Sequence, residues 1–303
     1  MSFSKIYTRS ICGLSAPCIE VEVHISQGLP SLTIVGLPET AVRESKDRVR
    51  SAIINSGFTF PSKRMTINLA PADLPKEGTR LDLPIAIGIL MASGQIPSLH
   101  ANDYEFVGEL ALDGRLRSVR SILTIAMACE QDQRALILPI ENQQHIQQLS
   151  RLKWFTALTL NAVCDHFLKL KPLTQGQADT TLQHYKRTSD LADVKGQCAA
   201  KRALEIAAAG GHSLLFRGPP GTGKTLLSSC LAGILPKLEH QHMLEVANIY
   251  SIADQKYLLG TRPFRSPHHT CSAVALVGGG CHFQRTMRHY KELCDKIKKV
   301  NNT

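Results

Sequence analysis

The sequence predicts an α/β protein of two domains, and three observations carry that reading. Period-two alternations of apolar and polar residues follow one another with period-3.6 amphipathic runs from about residue 19 to residue 168. From Lys171 to Arg187 the chain is dominated by Gln, Thr, Lys and Pro, and apolar residues thin out. Beyond it, further helix and strand patterns surround a glycine-rich octapeptide, Gly218 to Thr225. At 303 residues the chain is long enough for two cores. The expected organisation is a leading domain at 1–170, a linker at 171–188, a second α/β domain at 189–280 and a distinct tail at 281–303.

The elements of the leading domain are expected in this order. Ile19 to Ile25 alternates, Ser26-Gln27-Gly28-Leu29-Pro30 turns the chain, and Leu32 to Val35 runs back, which predicts a hairpin. Glu39 to Ser56 predicts an amphipathic helix with Val42, Val49, Ala52 and Ile53 on one face, ended by Gly57. Met65 to Leu69 predicts a strand, and Leu83 to Ser93 a nearly all-apolar buried helix closed by Gly94. Asp113-Gly114, between Phe106–Leu110 and Leu116, is a strong hairpin signal. A helix from about Ile122 to Glu130 and a strand from Ala135 to Leu138 follow, and Asn161 is placed to cap a last helix through Leu168. Such a mixture is α/β or α+β. In the second domain, Cys198 to Ala209 predicts a helix stopped by Gly210-Gly211. Ser213 to Phe216 predicts a short strand, and Lys224 to Leu235 a helix stopped at Pro236.

Composition narrows the setting. A net charge of +10 suits a polyanionic partner such as nucleic acid and is equally ordinary for a basic soluble chain. The nine cysteines form no CxxC pair, so reduced, buried thiols in a cytoplasmic protein are expected. The N-terminus lacks the apolar run of a secretory signal. No stretch reaches the roughly 18 uninterrupted apolar residues of a membrane span, so no membrane partner is expected.

Gly218-Pro219-Pro220-Gly221-Thr222-Gly223-Lys224-Thr225 fits the pattern G-x4-G-K-[ST], between a predicted strand and a predicted helix. Glycines let such a loop bend so that backbone N–H groups point inward at phosphates, and the helix N-terminus adds partial positive charge. Lys224 would then meet the β- and γ-phosphate oxygens of ATP, and the Thr225 hydroxyl would ligate Mg²⁺. Hydrolysis also needs an acidic group, normally an Asp-Glu pair ending a buried strand, to hold the metal and polarise water. No apolar run after Thr225 ends in Asp-Glu. Asp254, after Ile249 to Ala253, is the nearest substitute, and Gln255 follows it. No catalytic residue is therefore assigned.

The segments DVKGQ from Asp193, AKRALEIAAAGGH, GPPGTGKT, RPFRSPHHT and Ser272 to Gly280 together resemble the magnesium-chelatase-like AAA+ ATPases of the ComM/YifB type. Gly36 to Ile53, Asn68 to Leu90 and Gly108 to Arg120 resemble that family's leading domain, which is similar to the Lon-protease fold. The resemblance implies a Lon-protease-like α+β domain followed by an incomplete P-loop AAA+ domain. It implies ring-forming, hexameric, DNA-dependent ATPases, with helicases of branch migration in natural transformation among the members. Val194, Lys195, Gly196 and Gln197 would sit against the adenine. The positions of the Lon Ser–Lys dyad fall on Arg80 and near Leu123, so no peptidase activity is expected. Past Gly280 the chain departs from the family pattern, and residues 281–303 are expected to be out-of-frame sequence after a truncating change. Cys281, His282, His289 and Cys294 have no zinc-site spacing.

Arg43, Lys46 and Arg50 share the face of their helix opposite Val42, Val49 and Ile53, and Arg115, Arg117 and Arg120 follow the Asp113-Gly114 turn. Each set is either a solvated face or a DNA contact. The reading is a truncated, weakly active or inactive DNA-processing ATPase of this type. The alternatives are a nucleotide- or DNA-binding fragment without motor activity and, third, a chelatase motor subunit.

Overall fold

The computed structural model describes residues 2–179, 189–253, 260–266, 268 and 270. The chain divides into two units, 1–180 and 181–303.

In the first unit the strands are β1 (Ser2–Arg9), β2 (Cys18–Ser26), β3 (Ser31–Val35), β4 (Arg64–Ala70), β5 (Tyr104–Phe106), β6 (Glu109–Leu110), β7 (Leu116–Arg117), β8 (Ala135–Pro139), β9 (Trp154–Ala157) and β10 (Thr174–Gln175). Four helices join them: α1 (Thr40–Asn55), α2 (Asp82–Ala92), α3 (Ile122–Gln131) and α4 (Leu160–Phe167). Eight strands form one mixed sheet in the order β10-β9-β8-β5-β1-β2-β4-β3, and β6 and β7 pair separately.

The period-two pattern of β2 sets the core. Ile19, Val21, Val23 and Ile25 are buried, as are Met65, Ile67 and Leu69 of the antiparallel neighbour β4. The helix α2 packs among them and is apolar all round, as a fully enclosed helix must be. A Cβ on Gly88 would lie 2.7 Å from Val23 Cγ2, so glycine sets how closely this helix meets the sheet. On α1 the residues Val42, Val49, Ala52 and Ile53 are all buried, as their spacing demands. Gly57 and Gly94 follow α1 and α2 with φ of +83° and +75°, conformations that favour glycine at helix ends.

Three sequence expectations are corrected. The segment Ile19–Val35 is not a hairpin. β2 is flanked by β1 and β4, while β3 runs parallel to β4 at the sheet edge. Both edges of β2 are taken by long antiparallel ladders, one of them with a strand that arrives about forty residues later. Asn161 does not cap α4. Thr159, in extended backbone, accepts from the Ala162 N–H at 3.2 Å, and Asn161 falls inside the first turn. Finally, Thr174 and Gln175 pair with Thr156 and Phe155, so the chain remains on the sheet beyond Lys171.

Asp82, at the start of α2, is fully buried. It accepts from Arg48 Nε at 2.8 Å, Arg48 Nη2 at 3.1 Å and the Leu110 N–H at 3.3 Å. Burial outweighs Arg48 and raises its pKa to about 6, whereas an unfolded Asp titrates near about 3.9. Above pH ~6 both states are ionised and the folded state carries the desolvation cost. As pH falls through that value the folded carboxyl takes its proton first, so its contribution becomes more favourable until the unfolded chain also protonates. Between about pH 7 and pH 4.5 the gain is about 2 kcal/mol, and Asp82→Asn is expected to abolish it. Urea titrations followed by Trp154, the single tryptophan, measure the difference. Superimposable pH profiles for the two proteins would mean that Arg48 keeps Asp82 ionised throughout.

The second unit contains α5 (Cys198–Gly210), α6 (Lys224–Ile234) and α7 (His240–Ile252). One of its apolar clusters, among the described residues, is Leu191, Val194, Leu204, Leu227 and Cys230, with Phe216, Leu231 and Ile234 against it. The expected strand Ser213–Phe216 forms no ladder pair among the described residues, and Leu215 is 88% exposed. An apolar strand leading to a P-loop is buried only between neighbouring strands, and none lies among the described residues of this unit. The run Ile249–Ile252, weighed as a strand before Asp254, belongs to α7 instead. Asp254, His269 and the tail 281–303 lie outside the described residues.

Candidate nucleotide site

The site is built on the N-terminus of α6. Gly223 is the residue before that helix, in the left-handed region at φ +80°, and Gly221 is at φ +81°. A Cβ on either would meet nothing within 4 Å, so glycine answers a conformational demand there and not crowding by the protein. Among the described residues, none of the N–H groups of Thr222, Gly223, Lys224 and Thr225 donates to another protein group. A helix of eleven residues thus presents unspent donors and the positive end of its dipole to the loop.

Lys224 extends back over this loop. Its Nζ donates to Gly218 O at 3.0 Å, Pro219 O at 2.6 Å and Thr222 Oγ1 at 3.3 Å, which matches the three donors of an ammonium to three acceptors. Thr222 Oγ1 in turn donates to Pro219 O at 3.0 Å. The charge is therefore held at the centre of the loop. Thr225, in the first turn of α6, is exposed and its hydroxyl makes no hydrogen bond among the described residues. The donor set suits a phosphate, and the free hydroxyl suits a hard cation bound with it.

The segment 194–197 lies beside this loop. Val194 is in the apolar cluster around Leu204 and Leu227. Lys195, Gly196 and Gln197 are exposed, and Gly196 and Gln197 are both left-handed, at φ +66° and +54°. Gln197 Nε2 donates to Thr222 O at 3.4 Å, which joins the segment before α5 to the P-loop. Thus Val194 is a packing residue, and Gln197 is the member of this segment that reaches the loop.

Two family descriptions match the chain. Residues 21–142 match "Subunit ChlI of Mg-chelatase", and residues 190–286, which contain the P-loop, match "Magnesium chelatase, subunit ChlI". The chain belongs to the magnesium-chelatase ChlI-like family. Among curated relatives, "Uncharacterized protein YifB" of Salmonella typhimurium is 51% identical and that of Escherichia coli 50%. "Competence protein ComM" of Haemophilus influenzae is 47% identical. Each comparison spans 288 residues, 92% of this chain and 56% of the relative. The chain thus spans a little over half the length of the relatives it matches.

The ChlI-like N-terminal unit places the remaining residues as follows. Arg43 and Arg50 are exposed on α1 and Lys46 is half-buried, with Glu44 and Asp47 between them. Arg50 lies over the Phe60 ring at 5.3 Å. Arg80 and Leu123 are the positions on which the Lon dyad is expected to fall. The Arg80 Nη1 is buried without a hydrogen-bond partner, and Leu123 is a buried core residue. Lys76 is fully buried with its ammonium on Pro71 O, and burial lowers its pKa. His268 pairs with Thr270 Oγ1 at 2.7 Å. No helix among the described residues is long and apolar enough to cross a membrane.

Sequence reasoning missed the buried ion cluster of this unit. Glu105 on β5 accepts from Arg9 Nε at 2.6 Å, Arg9 Nη2 at 2.7 Å, Arg134 Nη1 at 3.3 Å and the Cys129 thiol at 2.9 Å. Burial pushes the thiols of Cys18 and Cys129 up, the latter strongly, so neither is a reactive thiolate. No local pattern signals this cluster, because Arg9, Cys18, Glu105 and the stretch 129–134 lie far apart in the sequence.

Proposed function

We propose that this chain is the ATP- and DNA-binding part of a DNA-processing ATPase of the ComM/YifB type. The observation that carries the reading is the P-loop: unspent N–H donors at the start of α6 around a centrally held Lys224. A 47% identical relative named as a competence protein supports the DNA role. Thr222 to Thr225 and Lys224 would hold the phosphates, Thr225 the Mg²⁺, and Lys195 to Gln197 the base. The metal, when bound, supplies charge neutralisation at the phosphate oxygens. Arg43, Lys46 and Arg50 are the proposed DNA contacts, and assembly into a hexameric ring follows the family. A second reading, nucleotide or DNA binding without motor activity, is favoured by the lack of an Asp-Glu pair after Thr225 in these 303 residues.

DNA binding tests the reading. Contacts made by side-chain charge to phosphate predict an affinity that falls at least about tenfold from about 50 to 200 mM salt. Charge reversal at Arg43, Lys46 and Arg50 together is expected to weaken binding about tenfold for every sequence alike. Fluorescence anisotropy with two unrelated duplexes and a single strand measures both. Salt-independent binding, or a triple variant that binds as well as the parent, removes α1 from the interface.

A further inference from the structure

A cleft of about 980 Å³ opens in the N-terminal unit. Its walls are the approach to β5, the turn into β8, the start of β9 and the C-terminal end of α4. Nothing in the P-loop reading uses it.

Its charge is one-sided. Lys153 and Lys169 line it, both are exposed, and neither pairs with a carboxylate among the described residues. The Lys153 ammonium lies over the Phe155 ring at 5.5 Å. Arg134 also reaches the cleft, but its guanidinium is committed to Glu105 at 3.3 Å and to the Tyr7 ring at 4.0 Å. Asp103 is turned to His100, at 3.3 Å.

A hydroxyl donor is oriented within the same cleft. The Leu173 N–H donates to His166 Nδ1 at 3.2 Å, so in the neutral ring the proton sits on Nε2. Nε2 then donates to Tyr104 Oη at 3.3 Å, which leaves the phenolic proton to donate elsewhere. Burial and the nearby Lys153 charge lower the His166 pKa and keep the ring neutral. Tyr104 and Phe167, packed edge to face at 5.4 Å, supply an aromatic wall.

The backbone is unusual at the same place. Six non-glycine residues among those described have positive φ, and three of them line this cleft: His100 at 65°, Gln133 at 56° and Lys169 at 59°. A Cβ disfavours this conformation, and residues held in it gather at ligand sites. Lys169 holds the position after α4 where glycine is the usual residue, with its N–H on His166 O at 3.2 Å. A lysine kept there against local preference points to a role for its charge.

We propose that this cleft binds a nucleotide, with the phosphate between Lys153, Lys169 and Tyr104 Oη and the base against Tyr104 and Phe167. The nucleotide arrives free or as one unit of a single strand, since both offer the same phosphate and ring. The cleft has the size of a small-molecule site with a few convergent polar groups on an apolar wall. The chemistry is that of base stacking beside a phosphate contact.

The test uses the full chain carrying Lys224→Ala, so that the contribution of the P-loop is reduced. The probes are thymidine monophosphate and a short fluorescein-labelled oligothymidylate, followed by anisotropy. Lys153→Glu with Lys169→Glu is expected to weaken binding at least about tenfold, and Tyr104→Phe about threefold. Both lysines are exposed, so the double variant keeps its urea midpoint. Displacement of the oligonucleotide by the monophosphate identifies a free nucleotide as ligand. Binding that the double variant weakens, but the monophosphate does not displace, identifies the single strand. The proposal is overturned if neither probe binds, if the double variant stays within twofold, or if Arg115→Glu with Arg117→Glu weakens binding equally.

Discussion

Arg9→Ala is expected to remove about 3–5 kcal/mol of stability from the N-terminal unit, because it strips the principal partner from a carboxylate that has no access to water. Glu105 is fully buried, and Arg9, itself almost enclosed, forms two of its bonds. Arg9 also ties Ala16 O at 3.0 Å and Asp132 at 2.6 Å, so β1 is fastened to the residues before β2 and to the end of α3. Arg134 would remain on Glu105, but at 3.3 Å and only part-buried, with its charge shared with Tyr7. The double variant Arg9→Met with Glu105→Leu separates the cost of an orphaned charge from the net worth of the pair. Apolar replacement of both partners is expected to recover most of the loss. The surface pair Lys5–Glu20, at 2.7 Å and about a third exposed, provides the contrast. Lys5→Ala is expected to change stability by less than about 1 kcal/mol. Urea denaturation followed by Trp154 reports on this unit, since that residue is buried in β9. An Arg9→Ala protein within about 1 kcal/mol of the parent would mean that water or Arg134 rescues Glu105.

This cluster also marks the boundary of what could be read from the chain. Helices α1, α2 and α3 and strands β4 and β8 are legible because each declares itself over one local window. Val42, Val49 and Ile53 recur at helical spacing, and Gly57 and Gly94 punctuate the ends. Strand β1 was not legible, since its inward residues include Ser4, Thr8 and Arg9, polar groups buried at 4% exposure or less. Their partners lie far along the chain, as Ser4 on Gly88 O and Arg9 on Glu105 show. The place of β3 is hidden from local sequence for the same reason, because the strand that separates it from β2 lies well beyond the turn at Gly28. The P-loop is the opposite case. Its chemistry sits in eight consecutive residues, and Lys224, Gly221 and Gly223 take the conformations that their types suggest. The cleft lysines carry no such signature. Lys153 and Lys169 belong to different elements, and only the pairing of β8 with β9 and the turn after α4 bring them to one wall.

A polypeptide of these 303 residues is expected to hydrolyse ATP at background, at least about a thousandfold below the ~10 s⁻¹ of a median enzyme. Binding and turnover make different demands on the site. For binding, the loop supplies N–H donors, the α6 dipole and the Lys224 charge. Turnover further requires an acid that fixes Mg²⁺ and orients water, and no apolar run after Thr225 ends in Asp-Glu. The described part of the second unit also lacks ladder partners for Ser213–Phe216, and Leu214, Leu215 and Leu226 stay exposed. With these apolar side chains exposed, binding of Mg·ATP is expected to be weak. Lys224→Ala removes a charge-assisted contact and should lower that affinity at least about tenfold, since such hydrogen bonds contribute about 1.5–3 kcal/mol. The same substitution should leave the hydrolysis rate unchanged, with or without DNA, because there is no catalysed rate to lose. Equilibrium binding of a fluorescent ATP analogue and phosphate release on single-stranded and branched DNA measure the two quantities separately. A DNA-stimulated rate that Lys224→Ala abolishes would show that another group in the chain, or in a second copy, supplies the acid. Turnover unaffected by Lys224→Ala but well above background would point to a contaminating enzyme.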